Sequence, residues 1–179
     1  MQLMERRLRA GFSLIEVLIT IVVIGVGLIG LAKIQAAAVN NTQIARVRSL
    51  MALQTEALSA SMHGNKAYWA AGLAPASFSV SGTTVTDASG VLNATVANCN
   101  TACTPAQLAA YDVQSWAQAM NGHFPGYSAQ INCTTTTGVP VSCNITVSWS
   151  EKYMAINSMT AASGVTTSAT QSFTVYVQP

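Results

Sequence analysis

The longest feature of the hydrophobic pattern is an almost unbroken apolar run close to the N-terminus. From Phe12 to Ala32 the chain reads FSLIEVLITIVVIGVGLIGLA, in which Glu16 is the only charged residue. As a helix, this run would measure roughly 31 Å, about the thickness of the hydrocarbon in a bilayer. The pattern therefore predicts a membrane-spanning segment over residues 12–32.

The helical pattern continues past this run. Residues 33–63 contain neither proline nor glycine and are rich in good helix formers. A stripe of apolar residues recurs with helical spacing and comprises Ile44, Val47, Met51, Leu58 and Met62. Gly64 follows as a stop signal. We predict one helix over 12–63, whose first half suits lipid and whose second half packs on the chain's own C-terminal domain.

The remaining chain carries signals for one short helix and several strands. Thr104, Pro105 and Gln107 have the spacing of a capping box with proline at the first helical position, which predicts a helix over 105–120 that ends at Asn121-Gly122. Apolar residues alternate with polar ones in FSVSGTTVT, in CNITVSWS and in FTVYV near the end. The prediction is an α+β fold, in which the long helix packs on an antiparallel sheet within a globular domain over 64–179.

Charge is scarce and unevenly placed. Only 8% of the residues are charged, and residues 1–11 hold three arginines against Glu5. Basic residues before a spanning segment stay in the cytoplasm, so residues beyond the segment are expected to be exported. The rest of the chain is balanced in charge and offers no basic patch for phosphate backbones, so we predict no specific nucleic-acid partner.

The cysteines are expected to form two disulfides, because an exported domain folds in an oxidising space. They are Cys99, Cys103, Cys133 and Cys143. Their spacing does not match a zinc ribbon, and we predict no metal site. A bridge from Cys133 to Cys143 would staple a hairpin, and Cys99 would pair locally with Cys103, although the sequence alone permits three connectivities.

Candidate catalytic chemistry is lacking in the sequence. The two histidines and two aspartates lie in no recognisable nucleophile or paired-carboxylate setting, so no enzymatic activity is predicted. Gly25, Gly27 and Gly30 spell the dinucleotide fingerprint, but they lie inside the apolar run, where small residues more often permit close helix packing. No cofactor is predicted.

Glu16 is the residue whose position most needs an explanation. A charge at the centre of a spanning helix costs on the order of 3 kcal/mol, so an intramembrane carboxylate suggests a function. The simpler interpretation is that Glu16 reaches water at the end of the segment. A different interpretation of the whole region is a conventional signal peptide cleaved after Ala36-Ala37-Ala38, but the apolar run exceeds the roughly 7 to 15 residues expected of one.

The N-terminal motif resembles that of type IV pilins. It consists of a short basic leader that ends in Gly11, followed by FSLIEVLITIVVIG with glutamate as the fifth residue from Phe12. The stretches GLAKIQ, SMHGN and CTPAQLAAYDVQSWAQAM are similar to the PilV family of minor pilins. The resemblance is strong over the first 65 residues and moderate over 99–120.

The resemblance implies a set of events and a type IV pilin fold. Residues 1–11 would be a leader that prepilin peptidase removes between Gly11 and Phe12, after which the amine of Phe12 is methylated. Glu16 would neutralise the Phe12 amine of an adjacent subunit during assembly. The partners would be other minor pilins, the major pilin and the inner-membrane assembly platform. The chain would cross the inner membrane once, with its C-terminal domain in the periplasm, and join an extracellular pilus, near its tip. A minor pseudopilin of a type II secretion system is the nearest alternative.

Overall fold

The computed structural model describes residues 11–95, 98–100, 102–134, 136, 138–153 and 167–179. The chain forms two compact units, Met1–Thr42 and Gln43–Pro179, and the first helix contributes to both. The α+β class is confirmed: a long N-terminal helix packs on a five-stranded antiparallel sheet, and a second long helix lies in sequence between the second and third strands. Apart from Gly11, the predicted leader lies outside the described residues.

The long helix, α1, spans Leu14–Gly64 and so begins two residues later than predicted. The carbonyl of Ser13 accepts the first helical hydrogen bonds, from the backbone N–H groups of Glu16 and Val17 at 3.0 and 3.3 Å. At the other end, the buried Asn65 donates from Nδ2 to the carbonyl of Pro105 at 2.7 Å. A single-turn helix, α2, follows at Lys66–Trp69.

The sheet is formed by the strands β1 Ser77–Ser81, β2 Thr84–Thr86, β3 Ser128–Cys133, β4 Cys143–Tyr153 and β5 Thr167–Val177. The strand order is β2-β1-β3-β4-β5, and every neighbouring pair is antiparallel. Gly82, at φ 57°, lies in the tight turn between the first two strands, a backbone conformation that favours glycine. The predicted hairpin across residues 127–149 is confirmed, with Cys133 opposite Cys143.

Helix α3 spans Pro105–His123, and the predicted capping box is present at its start. The side chain of Thr104 accepts from the N–H of Gln107, while the Gln107 side chain accepts from the N–H of Thr104. The predicted end at residue 120 was three residues short. Asn121 and Gly122 remain helical because the N–H of Phe124 still bonds to the carbonyl of Met120, at 2.7 Å, and Pro125 then ends the helix.

The hydrophobic core lies within the unit Gln43–Pro179. The alternating residues predicted to face inward in β4 are buried, and the inner residues of β3 join them. One face of α1 and one face of α3 complete the core. Trp116 of α3 donates a hydrogen bond from Nε1 to the carbonyl of Gln54 of α1 at 2.8 Å. The α1 residues that are fully buried here are Met51, Thr55, Leu58 and Met62.

Candidate functional site

The residues around the predicted cleavage position are exposed and non-helical. Gly11, Phe12 and Ser13 precede the first turn of α1, and the Phe12 side chain is 85% exposed. The peptide bond between Gly11 and Phe12 therefore lies in an exposed, non-helical stretch directly before α1. A peptidase needs this kind of backbone, because a bond inside a helix is already engaged in hydrogen bonding.

Glu16 lies in the first turn of α1 and is exposed. Ser13 and Glu16 have the spacing of a capping box, and a carboxylate in the first turn is favoured by the helix dipole. This position is an additional reason for an acidic residue that the sequence analysis did not consider. Capping and the helix dipole do not explain why a charged residue lies within an otherwise apolar surface.

The apolar surface of α1 is extensive. Nearly every large apolar side chain between Phe12 and Ile34 is more than half exposed within the chain. Among the described helices, α1 is long and apolar enough to cross a membrane, although a cleavable signal sequence near an N-terminus would meet the same criterion. Such a surface is not stable in water and indicates contact with lipid or with other apolar helices.

Gly25, Gly27 and Gly30 lie on this part of α1, and a Cβ added at any of them would meet no atom within 4 Å outside the helix backbone. Packing against the described part of the chain therefore does not require glycine at these positions. They are not preceded by a strand, which the dinucleotide motif needs. Small residues at a spanning helix surface are typical of close contact with a second helix.

The cysteines are joined in two disulfides, both in the unit Gln43–Pro179. Cys133 is bonded to Cys143 across the β3–β4 pair, and Cys99 is bonded to Cys103 just before α3. Neither pair is free to ligate a metal or attack a substrate. The described residues also contain no group of three His, Cys, Asp or Glu side chains that could hold a metal ion.

A half-buried ion pair connects α1 to the sheet, and it was not predicted from the sequence. Arg48 reaches Glu151 of β4 in a two-pronged contact, with Nε to Oε1 at 3.0 Å and Nη2 to Oε2 at 2.8 Å. Trp149 also donates from Nε1 to Oε1 of Glu151 at 2.9 Å. Glu151 is 4% exposed, so its charge is held among partners rather than by water. The available signal in the sequence was the acidic residue at the end of the alternating pattern of β4, directly before Lys152.

The other perturbed groups in this unit have structural causes. Burial alone would raise the pKa of Asp87, but hydrogen bonds from the backbone of Leu92 and from Ser89 and Val91 outweigh it and lower the pKa. Burial raises the pKa of Asp112. Burial also raises the pKa of Tyr68 to about 12, helped by the nearby charge of Asp87. Burial and local hydrogen bonds account for each of these pKa shifts, as is typical of packed structural groups.

Comparison with known families identifies the N-terminal region. A family model described as the prokaryotic N-terminal methylation motif matches residues 6–32. No curated protein and no solved structure matches the chain. The matched region contains Gly11, Phe12, Glu16 and the exposed apolar surface, and it supports a type IV pilin-like or pseudopilin-like protein with a prepilin-type signal. It does not extend into the globular unit.

Proposed function

We propose that this chain is a minor pilin of a type IV pilus, a non-enzymatic subunit that co-assembles with other minor pilins and the major pilin to prime the filament. The observation that carries the proposal is the methylation motif over residues 6–32, which includes the exposed, apolar first part of α1. The similarity of GLAKIQ, SMHGN and the α3 sequence to the PilV family supports the minor-pilin assignment.

In this proposal the chain begins as a precursor with an N-terminal leader of residues 1–11. Prepilin peptidase cleaves between Gly11 and Phe12, in the exposed stretch before α1, and the new Phe12 amine is methylated. Residues 12–32 anchor the subunit in the inner membrane, with the globular domain of residues 64–179 in the periplasm. Assembly then moves the subunit from the membrane into the pilus, close to its tip.

Glu16 supplies the assembly signal. Cleavage creates a positive charge at Phe12, four residues from Glu16 in sequence, and each charge alone is costly in an apolar surrounding. Pairing Glu16 with the Phe12 amine of an adjacent subunit removes both costs at only one axial offset between helices. The charge of Glu16 therefore selects the axial offset between neighbouring helices, while the apolar surface of α1 supplies the contact area.

The first test is the intact mass and N-terminal sequence of the mature protein extracted from membranes. A chain that starts at methylated Phe12 is the expected result. A start at Val39, as after a conventional signal peptide, or an uncut Met1 would contradict the proposal. Co-purification with pilus subunits, as opposed to type II secretion pseudopilins, separates the minor pilin from the minor pseudopilin that shares this motif.

Glu16→Gln tests the assembly role, with Glu56→Gln as the matched control, since both are exposed glutamates of α1. Glu16→Gln is expected to leave processing normal and to reduce recovery in the sheared pilus fraction at least about tenfold, because an unpaired buried charge costs roughly 3 kcal/mol or more. Glu56→Gln is expected to change neither. Normal incorporation of the Glu16 variant would refute this role.

A further inference from the structure

The two edges of the sheet are built very differently. At one edge, β2 has only three residues and lies beside α3. At the other edge, β5 has eleven residues and pairs with β4 through an unbroken register from Cys143↔Val177 to Tyr153↔Thr167. No described strand pairs with the outer side of β5.

Within the described residues, β5 also lacks features that normally protect an edge strand. Exposed edges are usually blunted by charged side chains, proline, bulges or shortness. The sequence TSATQSFTVYV contains no charged residue and no proline, and its pairing with β4 shows no bulge. Its outward backbone groups therefore form a long, regular row suited to pairing with another extended chain.

The apolar residues on the inner face of the sheet are less buried at this edge than in the neighbouring strand. On the inner face, Val175 lies opposite Ile145 and Phe173 lies opposite Val147. Ile145 and Val147 are fully buried, whereas Val175 and Phe173 are only half-buried. A strand added beside β5 would place its own inward side chains next to Phe173 and Val175 and would extend the cover over them.

We propose that β5 is a strand-addition site that takes an extended, uncharged segment of another subunit of the assembly, with apolar residues at alternate positions facing the side of Phe173 and Val175. The alternation follows from the period of two in a strand, and the lack of charge follows from the neutrality of β5. This inference rests on the proposed function, which supplies the neighbouring subunits.

A second copy of this chain fits the edge less well than a different subunit. Two antiparallel β5 strands would be related by a two-fold axis normal to the sheet. That axis reverses every direction in the plane of the sheet, including that of the α1 residues packed on it. The residues of α1 packed in the two globular units would then run in opposite directions, whereas the head-to-tail subunits of a filament share one direction.

The test uses the full mature chain in detergent micelles and a fluorescein-labelled peptide copying residues 167–177, which no anchor constrains. Thr174→Lys adds a charge at the edge, and the matched control Thr146→Lys adds it one strand inward. Both substitutions remove the same hydrogen bond, between the two threonine hydroxyls at 3.0 Å. Ser172→Lys and Ser148→Lys form a second matched pair in the same register.

We expect saturable binding in fluorescence anisotropy, weakened at least about tenfold by the edge lysines, roughly 1.4 kcal/mol, and less than about twofold by the inner lysines. A peptide with proline at its centre should not bind. Absence of saturable binding, equal loss in edge and control variants, or undiminished binding of the proline peptide would overturn the proposal. Because the measurement needs no pilus, a failure here is distinct from a wrong N-terminus, which would instead refute the proposed function.

Discussion

The contact between Arg48 and Glu151 leads to a quantitative prediction for Arg48→Met. The substitution keeps much of the aliphatic length and removes the guanidinium that contacts both oxygens of Glu151. Trp149 remains as a donor to Oε1, but Oε2 loses its 2.8 Å partner while Glu151 stays 4% exposed. The variant therefore removes the positively charged partner that Arg48 supplies to a nearly buried carboxylate.

The magnitude follows from the different exposure of the two side chains. Breaking a fully buried pair costs about 3 to 5 kcal/mol, whereas exposed pairs contribute about 0 to 1 kcal/mol. The Arg48 side chain is 48% exposed and that of Glu151 is 3% exposed, so the pair lies between these classes. We expect a loss of about 2 to 3 kcal/mol in the free energy of unfolding, which lowers Tm by roughly 6 to 12 °C for a domain of this size.

Thermal unfolding of the detergent-solubilised protein, followed by circular dichroism, measures this effect. Arg46→Met is the matched control, because Arg46 is an exposed arginine on the same helix, and it should change the stability by less than about 0.5 kcal/mol. The double variant Arg48→Met/Glu151→Met should regain most of the loss, since removing both charges removes the desolvation penalty. A drop in Tm below about 2 °C for Arg48→Met, or a double variant less stable than either single one, would refute the reasoning.

Three further predictions concern the same unit. Asp87→Asn should cost about 1 to 3 kcal/mol at neutral pH, because the carboxylate accepts several backbone and hydroxyl hydrogen bonds. Because the pKa of Asp87 is lowered in the folded state, its contribution to stability is present above about pH 4 and is lost as the pH falls through the folded pKa. The difference in stability between Asp87→Asn and the unmodified protein should therefore shrink in acid denaturation curves. A difference that stays constant with pH would contradict this prediction. The effect of Asp112 on stability has the opposite sign, because burial raises its pKa and its ionisation therefore opposes folding. Asp112→Asn should raise Tm at pH 7 but not in acid. A lower Tm of the variant at pH 7 would count against this prediction. Replacing Cys133 and Cys143 by serine should lower the free energy of unfolding by about 2 to 3 kcal/mol according to the loop-closure account. Replacing Cys99 and Cys103, which close a shorter loop, should lower it by about 2 kcal/mol. Equal stability of the oxidised and reduced protein in urea unfolding would exclude this prediction.

The sequence by itself determined the features that depend on local pattern. The long helix, the capping box at Thr104, the hairpin of β3 and β4 and the inward face of β4 each follow from periodicity or spacing over a few residues. The methylation motif belongs to this class, because it lies within one continuous stretch of the chain, residues 6–32. The helix ends were less accurate, since Asn121 and Gly122 stay helical where an intrahelical hydrogen bond survives.

Only the tertiary structure decided which distant residues meet. Nothing local marks Arg48 as the partner of Glu151, 103 residues away, or Trp116 as the donor to the carbonyl of Gln54. The strand order could not be predicted either, because β1 pairs with β3 as well as with β2, although β2 and α3 lie between β1 and β3 in sequence. Period-two patterns fix which side of a strand is buried but carry no information on its neighbours, and it is the order of the strands that leaves β5 at an unprotected edge.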